Sequence, residues 1–316
     1  MSKRTYRSRS YSRVVMSLIF SVTMIAALSP SATAAPRHPL PNAFESIATP
    51  QERANRAVVL GFYTALNRGD LGYLDKMVRP DLVQHYPTIA NGRSAFRAYH
   101  AGLRSQNPDL RFIVKRTIAQ NDLVVVHSHF VGKAGDAGIA KVNLFRLDRG
   151  KIAEHWEFNE AVQPRGIGND MFSTLSSPRI SKSLPFATDA ESERVGRAAF
   201  AEIVNQPDDE LRLQALDRYI GDNTYYQHFP NVPNGTEALQ QFLHDAYAAQ
   251  PDYRANVKTV VAEGDLVAVF EHLEKLFDME NGVGADLYRV RDGKLLEHWA
   301  VIEPIPPTSA NPNTMY

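Results

Sequence analysis

Apolar residues recur first at helical spacing and then at strand spacing, and this order occurs twice along the chain. In the first half the pattern predicts helices over 51–66, around Tyr73 and over 94–105, and strands over 111–116, 123–131, 141–147 and 151–158. In the second half it predicts helices near 192–205, 209–219 and 236–248, and strands near 253–262, 266–277, 284–290 and 294–302. We therefore predict tandem α+β domains, each with three helices packed on a curved, mainly antiparallel sheet around a conical apolar pocket.

A shared triplet indicates that the two halves are copies of one unit. The two tryptophans of the chain lie in Glu154-His155-Trp156 and Glu297-His298-Trp299, which are 143 residues apart. With that shift the halves align without a gap from Gln84 to Pro164, and about 25 of 80 aligned positions are identical. Each candidate functional residue can therefore be compared in two copies.

The repeat also sets the expected domain boundaries. Residues 50–172 form the first predicted domain and residues 191–316 the second, with a linker over 173–190 that is rich in serine and proline. Each domain ends in a similar short tail, Asn169-Asp170-Met171-Phe172 and Asn313-Thr314-Met315-Tyr316. The linker is long enough for the domains to pack as an internal pseudo-dimer, in a chain that can remain a monomer.

The first 34 residues have the features of an export signal. A basic segment without acidic residues precedes the apolar stretch 14–28, which is too short to span a bilayer comfortably. Small residues over 32–34 then permit cleavage, so we place the cut after Ala34 and an extended leader over 35–49. The expectation is a secreted or periplasmic protein without stable membrane insertion, and the alternative is an uncleaved membrane anchor.

Charge and cysteine content narrow the classes of function. The chain has 35 basic and 35 acidic residues, and five of the basic ones lie in the predicted signal, so the mature chain is acidic. An acidic chain without a basic run lacks the electrostatic surface that binds nucleic acid. The absence of cysteine excludes disulfides, thiolate metal sites and a cysteine nucleophile.

Four polar positions recur at fixed spacing in the two copies. They are Gln84, His85, His129 and Asn143 in the first copy and Gln227, His228, His272 and Asp286 in the second. We place the pivot of the hairpin between the last two positions of the second copy near Glu280. This register puts His272 and Asp286 on one face of the sheet, with Tyr288 and Glu274 beside them.

A carboxylate beside imidazole and amide groups in an apolar cavity is suited to proton transfer. Asp286 would take a proton from a carbon next to a carbonyl group, while His272 and Gln227 would hold the enolate oxygen. Burial is expected to raise the pKa of Asp286, which makes this carboxylate a stronger base near neutral pH.

Longer strings resemble a known family. YYQHFPNVPNG, VVAEGDLVAV and ADLYRVRDGKLLEHW, with the Asn-x-Met-Tyr tail, are similar to the SnoaL-like polyketide cyclases of the nuclear transport factor 2-like superfamily, over nearly all of the mature chain. The resemblance implies tandem cone-shaped α+β barrels and an intramolecular aldol condensation with an aspartate as general acid and base, without metal or cofactor. By motif position it implies that Asp286 is this aspartate and His272 its neighbour. It further implies that Gln227 and His228 bind the carbonyl groups of the substrate.

The two copies differ at the position of the aspartate. The first copy has Asn143 there, and an amide cannot act as a base. We therefore expect an active second domain, and a first domain that either binds a ligand through its own four polar residues or only supports the fold. Glu157 or Glu160 is the alternative base for the first domain.

Other roles for these residues stay open from the sequence. Asp286 can be a buried aspartate that His272 satisfies without any substrate, and the Gln-His pairs can cap the third helix of each copy. We interpret His155 and His298 as structural. Trp299 and Tyr288 are candidates for contact with the substrate. The Trp299 ring packs either at the pocket rim or between the domains.

Three functions are compatible with the sequence. The first is a cofactor-free lyase or isomerase that acts on an apolar carbonyl compound. The others are a binding protein for a hydrophobic small molecule and a scaffold whose sheets form a protein interface. His127 and His129 have the spacing of a metal pair, but with no third ligand in the pattern we predict no metal site.

Overall fold

The computed structural model describes residues 48–163, 168–176, 187–221, 225–230 and 232–316. The export signal, its cleavage site and most of the predicted linker lie outside the described residues. The first domain contains α1 (Pro50–Arg68), α2 (Gly72–Met77), β1 (Val78–Gln84), α3 (Arg93–Gln106), β2 (Arg111–Gln120), β3 (Leu123–Val131), β4 (Ile139–Asp148) and β5 (Lys151–Ala161). The second domain contains α4 (Asp189–Ala199), α5 (Asp209–Tyr219), β6 (Tyr226–Gln227), α6 (Thr236–Ala249), β7 (Arg254–Glu263), β8 (Leu266–Leu276), β9 (Met279–Arg291) and β10 (Lys294–Pro304).

Each domain is built on one five-stranded sheet. The strand orders are β1-β5-β4-β3-β2 and β6-β10-β9-β8-β7. The four long strands of each sheet pair antiparallel, while the short first strand pairs parallel with the last. This arrangement confirms the predicted tandem α+β fold, with open sheets and not closed barrels. The sequence pattern does not predict β1 and β6.

The first helix of each domain begins at a threonine cap but ends differently. Thr49 forms a capping box with Glu52 at the start of α1, and Gly69 ends that helix in the left-handed region with a φ of 72°. Thr188 caps α4, which continues into one π turn over Phe200–Val204. Residues of this π turn line the cavity described below, which agrees with the frequent occurrence of such turns at functional sites.

Three apolar cores hold the described part of the chain together. Each domain has a core between its helices and the inner face of its sheet, and a third core lies between the outer faces of the two sheets. In this third core the rings of Phe158 and Phe270 are 5.3 Å apart, and the Arg116 guanidinium lies 3.7 Å from the centre of the Trp299 ring. The inner face of each sheet is therefore left for the cavity side of its own domain.

Each tail binds to the other domain. Asn169 Nδ2 donates to the backbone carbonyl of Gln227, and Asn313 Nδ2 donates to that of Gln84, both at 2.9 Å. The histidine that follows each glutamine donates a hydrogen bond to a carbonyl of the same tail. The repeated tail motif is thus explained by a reciprocal exchange of contacts between the two copies.

Candidate functional site

A cavity lies between the helices and the inner face of the sheet in the second domain. The unfilled space between its lining atoms amounts to about 670 Å³, its mouth included. Most of the wall consists of apolar side chains. The polar residues of the wall are Tyr225, Gln227, Tyr253, Glu271, Asp286, Tyr288 and His298. An apolar cavity with a small set of convergent polar groups is the usual form of a small-molecule site.

Three of these polar side chains form a hydrogen-bonded series. Gln227 Oε1 accepts the backbone N–H of Phe229 at 2.9 Å, and His298 Nδ1 lies 2.8 Å from the same oxygen. Because this atom is an acceptor, His298 Nδ1 carries a hydrogen and donates it. His298 Nε2 lies 2.5 Å from Asp286 Oδ1, so these two atoms share a hydrogen in either charge state of the carboxyl group.

Asp286 is ionised at neutral pH. Burial raises the pKa of its carboxyl group, but the hydrogen bond and the positive charge of His298 lower it, as do hydrogen bonds from Glu271 and Tyr288. The net pKa lies below the ordinary value, and the Tyr288 hydroxyl donates to Asp286 Oδ1 at 3.2 Å. The expected rise of the Asp286 pKa is therefore wrong, because that expectation contained burial without the imidazole.

A second carboxyl group, that of Glu271, lies on the same wall. Its side chain is buried, and burial followed by the negative charge of Asp286 raises the pKa of Glu271 well above the usual range. The two neighbouring carboxyl groups are therefore in different states, with Asp286 ionised and Glu271 protonated. Pairs of titratable groups whose pKa values are pushed apart in this way are suited to acid and base roles.

The first domain contains the same series without the carboxylate. His155 Nδ1 lies 3.1 Å from Gln84 Oε1, and His155 Nε2 lies 2.8 Å from Asn143 Oδ1. Burial lowers the pKa of His155 to about 4, so this ring is neutral at neutral pH. Since the Asn143 amide cannot accept a proton from carbon, the first domain keeps the geometry of the series but lacks its base.

Larger side chains occupy the inner face of the first domain. Lys141 Nζ and Glu157 Oε1 form a buried ion pair at 2.6 Å, and Asn159 Oδ1 also accepts from Lys141 at 2.6 Å. Four aligned positions are larger in the first domain than in the second: Phe96 against Leu239, His100 against Leu243, Lys141 against Gly284 and Glu157 against Ala300. The buried ion pair of the first domain therefore lies at positions where the second domain has only Gly284 and Ala300.

Comparison with known families identifies the domains. The model of the SnoaL-like domain matches residues 59–155 and 198–298, one segment in each domain. The chain belongs to the SnoaL-like domain family. Each matched segment ends at the histidine of the Glu-His-Trp triplet, so the family match includes the Gln-His series of both domains.

Solved structures similar to the chain include other proteins of this kind. IdmH of Streptomyces antibioticus, described as a polyketide cyclase, is 24% identical over 34% of this chain and 91% of its own, with a TM-score of 0.31. A SnoaL-like polyketide cyclase of a Jannaschia species is 21% identical over 36% and 90%, with a TM-score of 0.32. An NTF2-like protein of Mesorhizobium loti is 18% identical over 36% and 96%, with a TM-score of 0.33. A search of curated proteins gives no match.

The structure corrects the predicted partner of Asp286 in the second SnoaL-like domain. The hairpin turns at 277–278 and not near Glu280. This register places His272 on the opposite face of the sheet from Asp286, where the His272 ring stacks on Tyr316 at 4.3 Å. The prediction that the two residues share a face is wrong, and so is the alternative in which this histidine satisfies the buried aspartate.

Glu274 also faces away from Asp286, because it lies two residues from His272 on the same strand. Tyr288 does share the face of Asp286, as the sequence predicts. The Gln-His pairs do not cap the third helices, since neither α3 nor α6 has a side-chain hydrogen bond at its N-cap. The backbone N–H of Gln84 and that of Gln227 instead donate to the side chain of the asparagine seven residues later, at 2.9 Å.

The remaining predicted histidines of the two SnoaL-like domains face the region between the domains. His228 stacks on Trp299 at 5.2 Å and His85 stacks on Trp156 at 4.3 Å. His129 stacks at 4.3 Å on the tail of its own domain. Of the two places predicted for Trp299, the structure shows the one between the domains. We therefore expect that none of these four side chains, His85, His129, His228 and Trp299, contacts a ligand in the cavity.

Two residues of the site are not among the predicted site residues. The interpretation of His298 as structural is corrected, because its ring lines the cavity and is bonded to Asp286. His298 alternates with Trp299 along β10, so a tryptophan packed between the domains requires the histidine to face the cavity. Glu271 is a single glutamate inside the apolar part of β8, at a position where the first copy has Ser128. The alternation of His298 with Trp299 and the single glutamate in an apolar strand can both be seen in the sequence once the outer face of the sheet is known.

Metal and membrane sites can be assessed only for the described residues. Among them, no three His, Cys, Asp or Glu side chains converge on a point that could hold a metal ion. His127 Nδ1 is instead bonded to the Arg116 guanidinium. None of the helices in the described part of the chain is long and apolar enough to cross a membrane.

Proposed function

We propose that the second domain is a cofactor-free lyase or isomerase that moves a proton at a carbon next to the carbonyl group of an apolar small molecule. Asp286 is the base. One observation carries this proposal: an ionised, buried carboxylate lies on the wall of an apolar cavity and is held in place by His298. Membership in the SnoaL-like family supports the same class of reaction, as an aldol-type condensation begins with this proton transfer.

The hydrogen-bonded series determines how the base is presented. Gln227 fixes the hydrogen on His298 Nδ1, so Nε2 of the same ring always faces Asp286. When Asp286 takes a proton from carbon, its free oxygen can hold that proton while the bonded oxygen keeps its contact with His298. Positioned general bases of this kind accelerate proton transfer by about 100- to 10,000-fold.

The test of this proposal begins with the identification of a ligand. Extraction of the purified protein with organic solvent, followed by mass spectrometry, should identify a bound carbonyl compound. The Asp286→Asn variant is expected to turn over this compound about 100- to 10,000-fold more slowly than the wild type. Equal turnover by the two proteins would refute the assignment of the base.

A matched control is available in the first domain. We expect Asn143→Asp, introduced into the Asp286→Asn variant, to restore no activity. The new carboxyl group would lie next to the buried ion pair of Lys141 and Glu157, whose negative member is its cross-strand neighbour. Recovery of turnover in this double variant would contradict the proposed difference between the domains.

The apolar lining of the cavity also favours a second candidate function, the binding of a hydrophobic small molecule without reaction. A binding protein would retain the extracted compound unchanged on incubation. Its affinity would also be equal in the wild type and in the Asp286→Asn variant. Any conversion of the compound by the wild type excludes this candidate.

We also propose that the protein is exported and that its two domains act as a pseudo-dimer within a monomer. Export rests on the sequence of residues 1–34. N-terminal sequencing of the protein recovered outside the cytoplasm should then begin at Ala35. A protein that keeps its first 34 residues would instead support the uncleaved anchor.

A further inference from the structure

Glu271 is a buried carboxyl group on the cavity wall, and the fold does not require one there, since the first domain has Ser128 at the same position. It lies on β8, with 1% of its surface exposed, and its Oε2 atom has no hydrogen-bond partner among the described residues. Its cross-strand neighbour is Gly284, and a Cβ atom at that position would lie 1.8 Å from Glu271 Oε1. A glycine is therefore needed opposite this glutamate. The first domain has Ser128 and Lys141 at the two positions.

The groups that face Glu271 leave it without a positive partner. Asp286 and Tyr288 face it from β9, and His298 lies beyond Asp286 on β10. The hydroxyl-bearing rings of Tyr225 and Tyr253 complete the polar wall. Among the described residues that line the cavity, His298 is the one basic side chain, and it is bonded to Asp286. A second negative charge at Glu271 would therefore be buried without compensation.

We propose that Glu271 is a second catalytic residue of the second domain, which donates its carboxyl hydrogen to the carbonyl oxygen of the substrate while Asp286 removes a hydrogen from the adjacent carbon. This inference rests on the proposed function and adds an acid to its base. Glu271 lines the cavity beside Asp286, and its hydrogen is bonded to Asp286. A carbonyl oxygen that enters the cavity next to the two carboxyl groups can therefore take this hydrogen in place of Asp286.

The step balances in protons and charge. The C–H bond breaks and its proton goes to Asp286, while the electron pair of that bond forms a carbon–carbon double bond. The carbonyl π electrons move to oxygen, which takes the proton of Glu271 to give an enol. The pair of carboxyl groups carries one negative charge before and after the step, first on Asp286 and then on Glu271. Return of a proton to a different carbon gives an isomer, and attack of the enol carbon on a second carbonyl group gives an aldol product.

This charge balance restricts the class of substrate. The cavity already holds one carboxylate, and its other lining groups are apolar or uncharged apart from His298. A substrate with a carboxylate near its reacting carbon would add a second negative charge in an apolar surrounding. We therefore infer that the substrate is a neutral ketone or aldehyde with an apolar body, whose carbonyl oxygen reaches Glu271.

Hydrogen–deuterium exchange at the α-carbons of cyclohexanone in D2O, followed by proton NMR, tests the inference. The wild type should accelerate the exchange over buffer, and Asp286→Asn should remove that acceleration. Glu271→Gln keeps the size of the side chain and the base but cannot transfer a proton, so we expect a loss of about 100-fold. Glu271→Ser, the residue type of the first domain, should lose as much, and Ser128→Ala should exchange as fast as the wild type.

Infrared spectroscopy provides a readout that does not depend on activity. At pH 7 the difference spectrum of wild type minus Glu271→Gln should contain the C=O stretch of a protonated carboxyl group. Signals of Glu160 and Glu303, which are also protonated at this pH, cancel in the difference. Absence of the band overturns the inference, since Glu271 would then hold no hydrogen to donate.

The outcomes separate the two proposals. If Asp286→Asn loses the exchange activity and both Glu271 variants keep it, the base assignment stands and the acid assignment is overturned. If the wild type exchanges no faster than Asp286→Asn, the proposed function fails and the inference fails with it. Loss of activity in both Glu271 variants, together with the infrared band and wild-type unfolding curves, supports the inference.

Discussion

Substitution of Gly284 tests the packing that places Glu271 in the cavity. In Gly284→Ala the new Cβ atom would lie 1.8 Å from Glu271 Oε1 and 2.8 Å from its Cδ. Non-bonded contacts of a Cβ atom below 3.0 Å essentially do not occur, so the carboxyl group must move by more than 1 Å. In a buried site an adjustment of this size costs about 1–3 kcal/mol in the free energy of unfolding. The displacement also moves the proposed acid, so the exchange activity should fall as in Glu271→Gln.

Urea unfolding followed by tryptophan fluorescence measures this cost, and a second glycine provides the control. Gly102 lies inside α3 with no atom within 4 Å of an added Cβ. Because alanine favours the helix over glycine, Gly102→Ala should raise the free energy of unfolding by up to about 1 kcal/mol. The two glycine substitutions are therefore expected to have opposite signs.

A double-mutant cycle isolates the contact with Glu271. The first domain tolerates the side chain of Lys141 opposite Ser128, so a serine at position 271 should make room for an alanine at 284. Gly284→Ala should then cost at least about 1 kcal/mol less in the Glu271→Ser background than in the wild type. An equal cost in both backgrounds would refute the reasoning, because the strain would then come from another neighbour such as Leu273, whose Cδ1 is 3.3 Å away.

Two further predictions concern the contact between the domains. Glu160 accepts the backbone N–H of Ile302, and Glu303 accepts that of Asn159, both at 3.0 Å, and burial raises the pKa of each glutamate from 4.5 to about 8. The stability that the protonated forms contribute is complete below pH 4.5 and is lost as the pH rises through 8. The double variant Glu160→Gln with Glu303→Gln should therefore flatten the dependence of the urea midpoint on pH in this range. An unchanged pH dependence would contradict the assignment of these two groups. Trp299→Phe removes the hydrogen bond from Nε1 to the Ser173 carbonyl, at 2.8 Å, and part of the core between the sheets. This substitution should lower the free energy of unfolding in urea by about 2 kcal/mol without loss of the cavity. A decrease below about 0.5 kcal/mol would contradict the structural role of Trp299.

The long elements of the fold follow from the sequence because each has a clear period. The helix predicted over 51–66 extends over Pro50–Arg68, and the strand predicted over 294–302 extends over Lys294–Pro304. The two short strands do not show such a pattern. β1 has two exposed residues in its centre, Pro80 and Asp81, and β6 has only two residues. Their place at the edge of each sheet is determined by parallel pairing with a strand about 70 residues later, which local patterns cannot show.

The pairing of Asp286 could not be predicted because it depends on the position of a turn. The polar segment 278–282 has the composition of a turn, and a turn centred on this segment pivots at Glu280. The chain turns earlier, where Lys275 and Phe277 adopt left-handed backbone conformations with φ values of 58° and 52°. Neither residue type favours that conformation, so no sequence signal marks the turn. The earlier turn shifts the pairing of β8 with β9 by an odd number of residues, so His272 lies on the outer face of the sheet and not beside Asp286.

The two copies show that the difference between the domains is larger than one residue. If Asn143 against Asp286 were the whole difference, the first domain would be an empty cavity that lacks a base. Instead, the inner face of the first sheet also differs by the buried ion pair of Lys141 and Glu157. The amide at position 143 is bonded to His155 and supplies no base to the first domain. We therefore propose that the first domain acts as a structural partner, since its sheet covers the outer face of the second sheet. We expect selection on its inner face to act on packing and stability and not on ligand recognition.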